Sequence, residues 1–561
     1  MLPLLQIKNL SIDFRLEDKT VHAVKNISLE VARGEVVAVV GESGSGKSVT
    51  SLSILQLLPS PPAVKSGGEI LFSSNGKESI DLSSLNSKQI QEYRGNQVAM
   101  IFQEPMTSLN PVLTCGDQVM EAIRLHKNVS RADARRQTID LFASVKLPNP
   151  ELMLSRYPHQ LSGGQKQRVM IAVAMSCQPS LLICDEPTTA LDVTVQKTIL
   201  QLIKELQQAS NMGVIFITHD LGVVSEIADR AVVLYKGEIV EQGTVKDLFS
   251  RPQHPYTKGL LNCRPVLHRK GERLPVVEDF MFPPKTKTDE NHGDSTFSPK
   301  SRSVLMEVKN LSVVFQSKKI LFGKSAAFRA VDDVSFFVYK GETLGLVGES
   351  GCGKTTLGRT LLRLIEPESG QIVFDGMDLL GYRGDDLKKV RKDIQIVFQD
   401  PYSSLNPRIT IGSAIEEPMK VHREENFRNR REKVSELLKK VNLPAEYYHR
   451  FPHEFSGGQR QRIVIARALA LHPSFVVFDE SVSALDVSVQ AQVLNLINDL
   501  KREMGFTAIF ISHDLSVVRY ISDRILVMNR GRIEEIGDAD EIYYHPRSEY
   551  TKKLISSIPG H

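Results

Sequence analysis

The chain has 561 residues, of which 41% are apolar and 24% charged, the usage of ordinary globular domains, which excludes a collagen-like, fibrous or disordered chain. Lys+Arg number 70 against 66 Asp+Glu, a net charge of +4, too balanced for a basic nucleic-acid surface, so no nucleic-acid partner is expected. No apolar run approaches the roughly 18 residues of a membrane span, Met1–Lys19 is too acidic for a signal peptide, and the five scattered cysteines form no Cys-x-x-Cys pair, which points to a reducing, intracellular compartment.

In chain order, Glu35–Val40 reads as a short buried strand, followed by Gly41-Glu42-Ser43-Gly44-Ser45-Gly46-Lys47-Ser48 and a helix from Lys47 through Val49. Segment 60–90 is rich in Ser, Gly, Asn and Pro. Gln103 follows, then Ser162-Gly163-Gly164-Gln165. Two further apolar strands, Ser180–Asp185 and Val214–Thr218, run into Glu186 and His219. Residues 284–303 are polar throughout, a composition that cannot offset its own ordering entropy.

The whole pattern then returns. Leu344–Val347 leads into Gly348-Glu349-Ser350-Gly351-Cys352-Gly353-Lys354-Thr355 and Thr356, with Gln399, Ser456-Gly457-Gly458-Gln459, the strand Phe475–Asp479, Glu480, the strand Ala508–Ser512 and His513 in the same order. The phosphate-loop lysines lie 307 residues apart and the three later motifs 294. The first copy therefore carries a net insertion, most of it before Gln103 and best placed in 60–90. A period this long is a duplicated domain, not a solenoid. Continuous apolar strands alternating with helices give an α/β fold with central parallel strands. The expected division is 1–265, a flexible linker 266–303, and 304–561. A flexible coil of about 40 residues spans roughly 35 Å, enough for the two copies to face each other.

Gly-x-x-x-x-Gly-Lys-[Ser/Thr] between a strand and a helix is the phosphate loop, whose backbone N–H groups close around phosphate oxygens at a helix N-terminus. Lys47 and Lys354 are placed to reach the β- and γ-phosphates, and Ser48 and Thr355 to ligate Mg²⁺. Asp185 and Asp479 end apolar strands where a carboxylate supports that ion. Glu186 and Glu480 are the candidates to orient or deprotonate the attacking water, and His219 and His513 to contact the γ-phosphate.

Together these residues resemble the ATP-binding subunits of ABC transporters, over nearly the whole chain, twice. The diagnostic element is Ser-Gly-Gly-Gln, 24 residues before the glutamate in both copies. The resemblance implies ATPase activity with ATP and Mg²⁺. It also implies domains in which the parallel core carries an antiparallel β subdomain and a helical signature subdomain. Gln103 and Gln399 match the glutamine loop that contacts Mg²⁺ and the membrane subunit, and Ala190-Leu-Asp192 and Ala484-Leu-Asp486 match the loop that crosses the dimer interface.

It further implies two composite sites. The first phosphate loop, with Gln103, Asp185, Glu186 and His219, faces Ser456, Gly457 and Gly458. The second loop, with Gln399, Asp479, Glu480 and His513, faces Ser162, Gly163 and Gly164, and Gln165 and Gln459 of the two signatures are counted with the nucleotide-binding residues. One monomeric chain supplies both.

Gln-x-Pro-x-x-Ser-Leu-Asn-Pro at 103–111 and 399–407 and His254-Pro-Tyr-Thr257, with the variant His545-Pro-Arg-Ser-Glu-Tyr-Thr551, look like peptide/nickel-type importers in their fused form. That group implies two integral-membrane permeases, a solute-binding protein and peripheral attachment at the cytoplasmic face of the membrane. With only Cys263 near this tail, no iron–sulfur cluster is expected. The adenine-stacking residue is Phe14 or His22 in the first copy and Phe315 or Phe328 in the second: Phe14 and Phe315 match by strand position, His22 and Phe328 by distance to the phosphate loop. A tandem ABC protein acting on ribosomes is disfavoured by Leu221 and Leu515 after the His-Asp pairs and by the short linker. A DNA-repair ATPase would carry zinc-binding cysteine pairs, and the Gln-x-Pro and His-Pro-Tyr-Thr signals argue against an exporter.

Overall fold

The computed structural model describes residues 2–17, 19–103, 108–189, 191–282, 303–316, 327–423, 426–483 and 485–558. Residues 104–107 of the glutamine loop, Ala190 and Ala484 of the interface loops, and 283–302 of the expected linker lie outside the described residues.

In the first copy, β1 (Leu5–Arg15), β2 (Thr20–Val31), β4 (Ala63–Phe72) and β5 (Ile80–Asp81) form an antiparallel sheet in the order β2-β1-β4-β5. Its inward residues, among them Leu5, Ile7, Leu10 and Ile12, are buried and alternate with exposed neighbours, the mark of a half-buried sheet. The second sheet contains β3 (Val36–Val40), β6 (Val98–Ile101), β7 (Leu181–Asp185), β8 (Gly213–Thr218), β9 (Arg230–Tyr235) and β10 (Glu238–Thr244), ordered β10-β9-β3-β8-β7-β6. All its pairings are parallel except that of β10 with β9. Every residue of β3, β7 and β8 is buried, as strands covered on both faces require. The helices Cys115–His126, Arg131–Ser144 and Gly163–Met175 form a separate helical layer between β6 and β7.

The second copy repeats this with β11 (Val304–Gln316), β12 (Ala327–Tyr339), β14 (Ser369–Phe374) and β15 (Met377–Asp378) in its antiparallel sheet. Its other sheet holds β13 (Thr343–Val347), β16 (Ile394–Val397), β17 (Phe475–Asp479), β18 (Thr507–Ile511), β19 (Arg524–Asn529) and β20 (Arg532–Asp538) in the order β16-β17-β18-β13-β19-β20. The extra length of the first copy falls inside 60–90. β4 has ten residues where β14 has six, and the turn from Phe72 to Ile80 is longer than that from Phe374 to Met377.

One expectation is overturned. The first part of the segment read as a flexible linker is folded against the second copy. After the helix Pro255–Asn262, a 3-10 turn Pro265–Leu267 and a short helix Val277–Met281 bring Leu274 and Val277 into one apolar cluster with Val493, Leu496, Ile497 and Leu500 of the helix Val487–Met504. Polar pairs lock the strap. Asn495 accepts from Leu274 N–H (3.0 Å) through Oδ1 and donates to its carbonyl (2.8 Å) through Nδ2. Tyr520 O–H donates to Glu272 O (2.7 Å) and Arg519 to His268 O (3.0 Å). Lys270 pairs with Asp523, and Arg273 with Asp499 at 2.9 Å. Composition misjudged this stretch because most of its order comes from partners more than 200 residues away.

Candidate active sites

Parallel, in-register strands put the catalytic candidates side by side. Val40 of β3 lies opposite Thr218 of β8, and Asp185 of β7 opposite Ile217. The carboxyl ends of three adjacent strands therefore carry the loop 41–48, Asp185–Glu186 and His219 into one crevice, where open α/β sheets bind ligands. Gly46 enters the helix Lys47–Ile54 with φ 102°, and a Cβ there would lie 2.7 Å from Ala23 O, so only glycine fits. Gly353 repeats this against Ala330 O. Lys47 Nζ donates to Gly41 O (2.7 Å) and Glu42 O (2.9 Å), and Lys354 Nζ to Gly348 O (2.8 Å) and Glu349 O (3.0 Å).

Ser48 Oγ donates to Asp185 Oδ1 at 3.1 Å, and Thr355 Oγ1 to Asp479 Oδ1 at 3.0 Å. Burial pushes the Asp185 carboxyl up to about 6, Glu186 adding to it while Ser48 and Lys47 oppose it. Burial raises Asp479 too. Asp479 Oδ2 is buried without a hydrogen bond, with Arg359 3.9 Å away. A hydroxyl, a buried carboxylate and a glutamine amide make an all-oxygen donor set suited to Mg²⁺.

Glu186 has φ 46° and Glu480 φ 47°. This left-handed backbone strains a non-glycine residue, and such strain clusters at functional sites. Glu186 Oε2 accepts from Gln103 Nε2 (3.1 Å) and Thr189 Oγ1 (3.0 Å), and Oε1 lies 3.3 Å from His219 Nδ1. Glu480 Oε2 accepts from Gln399 Nε2 (2.8 Å) and lies 3.7 Å from His513 Nδ1. Burial favours protonation of Glu186, but His219, Lys47 and Thr189 outweigh it and hold the carboxyl at about 2. For His219 burial opposes the charged ring, yet Glu186, Asp486 and Asp220 raise it above the usual histidine range. Glu186 is thus ionised at neutral pH, a fixed carboxylate better suited to orienting water than to taking a proton.

The signature residues occupy helix N-termini. Ser162 Oγ accepts from Gln165 N–H and Gln165 Oε1 from Ser162 N–H, closing a capping box on Gly163–Met175. Ser456 and Gln459 do the same on Gly457–Leu469. The two glutamines counted as nucleotide contacts are therefore engaged in their own caps. Gly164 and Gly458 pack against Val195 and Val489, while Gly457 faces open space.

Across the interface, Ser43 N–H donates to Asp486 Oδ2 at 2.8 Å, so the crossing loop of the second copy touches the phosphate loop of the first. The mirror contact is not made in the same way: Asp192 Oδ1 caps its own helix through Val195 N–H (2.9 Å), whereas Asp486 makes no such cap. Among the described residues no hydrogen bond joins Ser162 or Ser456 to the opposite loop, and both serines are exposed.

The aromatic candidates need one correction. Ala23 and Ala330 contact the equivalent glycines 46 and 353, which makes Arg329, not Phe328, the counterpart of His22. Phe315 faces Phe328 across β11 and β12, as Phe14 faces Val21 across β1 and β2. The distance match between His22 and Phe328 fails by one residue: His22 lies 25 residues before Lys47 and Phe328 26 before Lys354, whereas Arg329 lies 25 before it, in agreement with the strand register. Phe14 and Phe315 remain matched. Sequence reasoning also missed Tyr256 and Tyr550, whose hydroxyls accept from the phosphate-loop amides of Glu42 (2.9 Å) and Glu349 (3.1 Å). The Tyr-Thr repeat was the available signal. The structure equates Ser548, not His545, with His254 as the cap of that helix.

Comparison with known proteins places these features. The ABC transporter family matches residues 24–189 and 331–483, and the oligopeptide/dipeptide transporter C-terminal region matches 240–285 and 535–561. Over 564 residues the chain is 48% identical to the glutathione import ATP-binding protein GsiA of Pectobacterium atrosepticum, covering 100% of this chain and 90% of that protein. It is 48% identical over 565 residues to GsiA of Escherichia coli K12, covering 99% and 89%. A solved dimeric ATP-binding cassette bound to ADP and Pi is 29% identical, with a TM-score of 0.38, over 42% of this chain and 99% of that one. The chain belongs to the ABC transporter family, as a tandem ATP-binding protein and ATPase whose two cassettes each carry the oligopeptide/dipeptide-type C-terminal region.

Proposed function

We propose that this chain is the energy-coupling ATPase of an importer for short peptides, glutathione among them, acting with two integral-membrane permeases and a solute-binding protein at the cytoplasmic face of a membrane. The observation that carries the reading is the union of two cassettes with two peptide-type C-terminal regions in one chain, 48% identical end to end to glutathione import ATPases. No helix among the described residues is long and apolar enough to cross a membrane. In this reading the solute path belongs to the permeases.

Each phosphate loop binds the triphosphate through its backbone amides, with Lys47 or Lys354 exchanging loop carbonyls for phosphate oxygens. Ser48, Asp185 and Gln103, and Thr355, Asp479 and Gln399, are the residues that would hold Mg²⁺. Bound there, the ion neutralises charge on the phosphates. Glu186 and Glu480 orient the attacking water, with His219 and His513 beside them. Ser456 and Ser162, on exposed helix N-termini, complete the opposite sites when the copies close. The contact of Ser43 with Asp486 supports this head-to-tail pairing.

The test is reconstitution with its permeases in vesicles and uptake of labelled glutathione and dipeptides. Uptake should require internal ATP and vanish in K47A/K354A. Hydrolysis that no peptide-loaded binding protein stimulates would refute the peptide assignment.

A further inference from the structure

The C-terminal region of each cassette reaches back to its own phosphate loop. In the first copy, Glu241 of β10 accepts from Gln253 N–H (2.8 Å) and His254 N–H (3.1 Å), and His254 caps the helix Pro255–Asn262. This aims Tyr256, fully buried and packed on Tyr235 (ring centroids 4.4 Å apart), at the loop. Its hydroxyl accepts from Glu42 N–H at 2.9 Å. The same residue's carbonyl accepts from Lys47 Nζ at 2.9 Å. The Glu42 residue is thus held at both ends, by a tyrosine from the tail and by the loop lysine.

The second copy rebuilds this with different parts. Glu535 accepts from Arg547 N–H (2.9 Å) and Ser548 N–H (3.1 Å), and Ser548 caps the helix Glu549–Ser556. The Tyr550 hydroxyl oxygen accepts from Glu349 N–H at 3.1 Å, and Lys354 Nζ donates to Glu349 O at 3.0 Å. The cap has changed from His254 to Ser548, the first helical residue from Pro255 to Glu549, and the ring partner Tyr235 to Asn529. The glutamate anchor and the hydroxyl with its amide target are retained, while the cap and the ring partner are not. A tyrosine kept merely to fill the core would keep its ring environment instead.

We propose that Tyr256 and Tyr550 are positioning residues for the two ATP sites: each hydroxyl pins the second residue of its phosphate loop, so that the loop stands in triphosphate-binding geometry before nucleotide arrives. This rests on the reading that both loops bind ATP. A half-buried amide left without its acceptor is costly, and the loop relieves that cost by turning the peptide away from its binding geometry. Preorganisation lost in this way weakens binding without removing any group that touches the nucleotide.

The experiment uses the full chain with Y256F, Y550F and the double variant, which keep the ring and remove only the hydroxyl. Affinity for a fluorescent ATP analogue, the KM and kcat of hydrolysis, and the nucleotide-free melting midpoint are measured on each. The double variant should bind roughly 5- to 30-fold more weakly, with KM raised in step and kcat at saturating ATP within about twofold. Its nucleotide-free melting should stay close to that of the wild type, and hydrogen exchange of the peptide covering 41–48 should quicken. Unchanged affinity and KM would overturn the proposal. So would a large fall in the melting midpoint with KM unchanged, since that marks a purely structural tyrosine. A wild-type chain that binds no ATP would instead refute the underlying functional reading, which K47A/K354A, run alongside, calibrates.

Discussion

At the scale of residues, the environment of Glu186 explains what its removal should cost. Its oxygens are held by Gln103 and Thr189 and face His219, so Glu186→Gln preserves shape while removing the charge that the proposed mechanism uses to orient water. The same holds for Glu480 beside Gln399 and His513. E186Q/E480Q should hydrolyse ATP about 10²- to 10⁴-fold more slowly, measured as phosphate release, while still binding nucleotide. Near wild-type turnover would remove both carboxylates from the chemistry. The two sites are built alike but not identically. Thr189 donates to the carboxylate of Glu186, whereas Ser483 donates to the backbone carbonyl of Glu480, so Glu480 is the less constrained of the pair.

At the scale of elements, the strap 264–282 is the feature with the clearest consequence. Its partners are specific to the second copy: Gln201, Ser225 and Glu226 stand in the first copy where Asn495, Arg519 and Tyr520 stand in the second. Leu274 is 1% exposed, and Asn495 serves both its N–H and its C=O. Asn495→Ala would leave two buried backbone groups unpaired, at about 2–4 kcal/mol. In limited trypsin digestion the variant should be cut faster than the wild type at Arg269, Lys270 or Arg273, exposed side chains whose backbone the strap contacts hold in place. Equal protection would show that the strap is held by its apolar contacts alone.

The cluster beneath the strap titrates with a definite sign. Burial depresses Lys501 to about 8 against the partial support of Asp523, with Lys270 adding like-charge repulsion. Between about 8 and the ordinary lysine range the unfolded chain binds the proton that the folded chain has lost, so stability rises with pH. Relative to K501M, the wild type should gain stability as pH increases from 8 towards 10. Denaturant unfolding of both proteins across that range checks it, and a flat or falling difference would contradict it.

At the scale of the whole molecule, one apolar cluster runs through both copies, joining Tyr256, Leu260 and Val277 to Leu494, Ile497 and Tyr520. Two cassettes tethered in this way meet at high effective concentration, so one chain should form both sites without dimerising. With the buried native cysteines replaced, S43C/D486C should cross-link within a single chain under a short thiol reagent even without nucleotide. S43C/S456C should do so only with ATP bound in the E186Q/E480Q background. Cross-linking of S43C to S162C instead would overturn the head-to-tail arrangement.

Much of this protein is written in short stretches of chain. A phosphate loop, a strand-terminal Asp-Glu or a Ser-Gly-Gly-Gln cap is decided within about ten residues by glycine, hydrogen-bonding and capping preferences that hold wherever the segment sits. Duplication made each reading a paired one, so the α/β class, the two cassettes and the gathering of Lys47, Asp185 and Glu186, and of their counterparts, at the strand ends were legible. What only the tertiary structure decided depends on contacts between distant segments. Residues 264–282 give no local sign of the partners that Asn495, Arg519, Tyr520 and Asp523 supply for their polar groups. The pairing of Tyr256 with Glu42 spans 214 residues, and that of Asp486 with Ser43 spans 443. No local pattern encodes such pairs, because their free energy comes from burying a polar group against one particular partner, which only the folded chain selects.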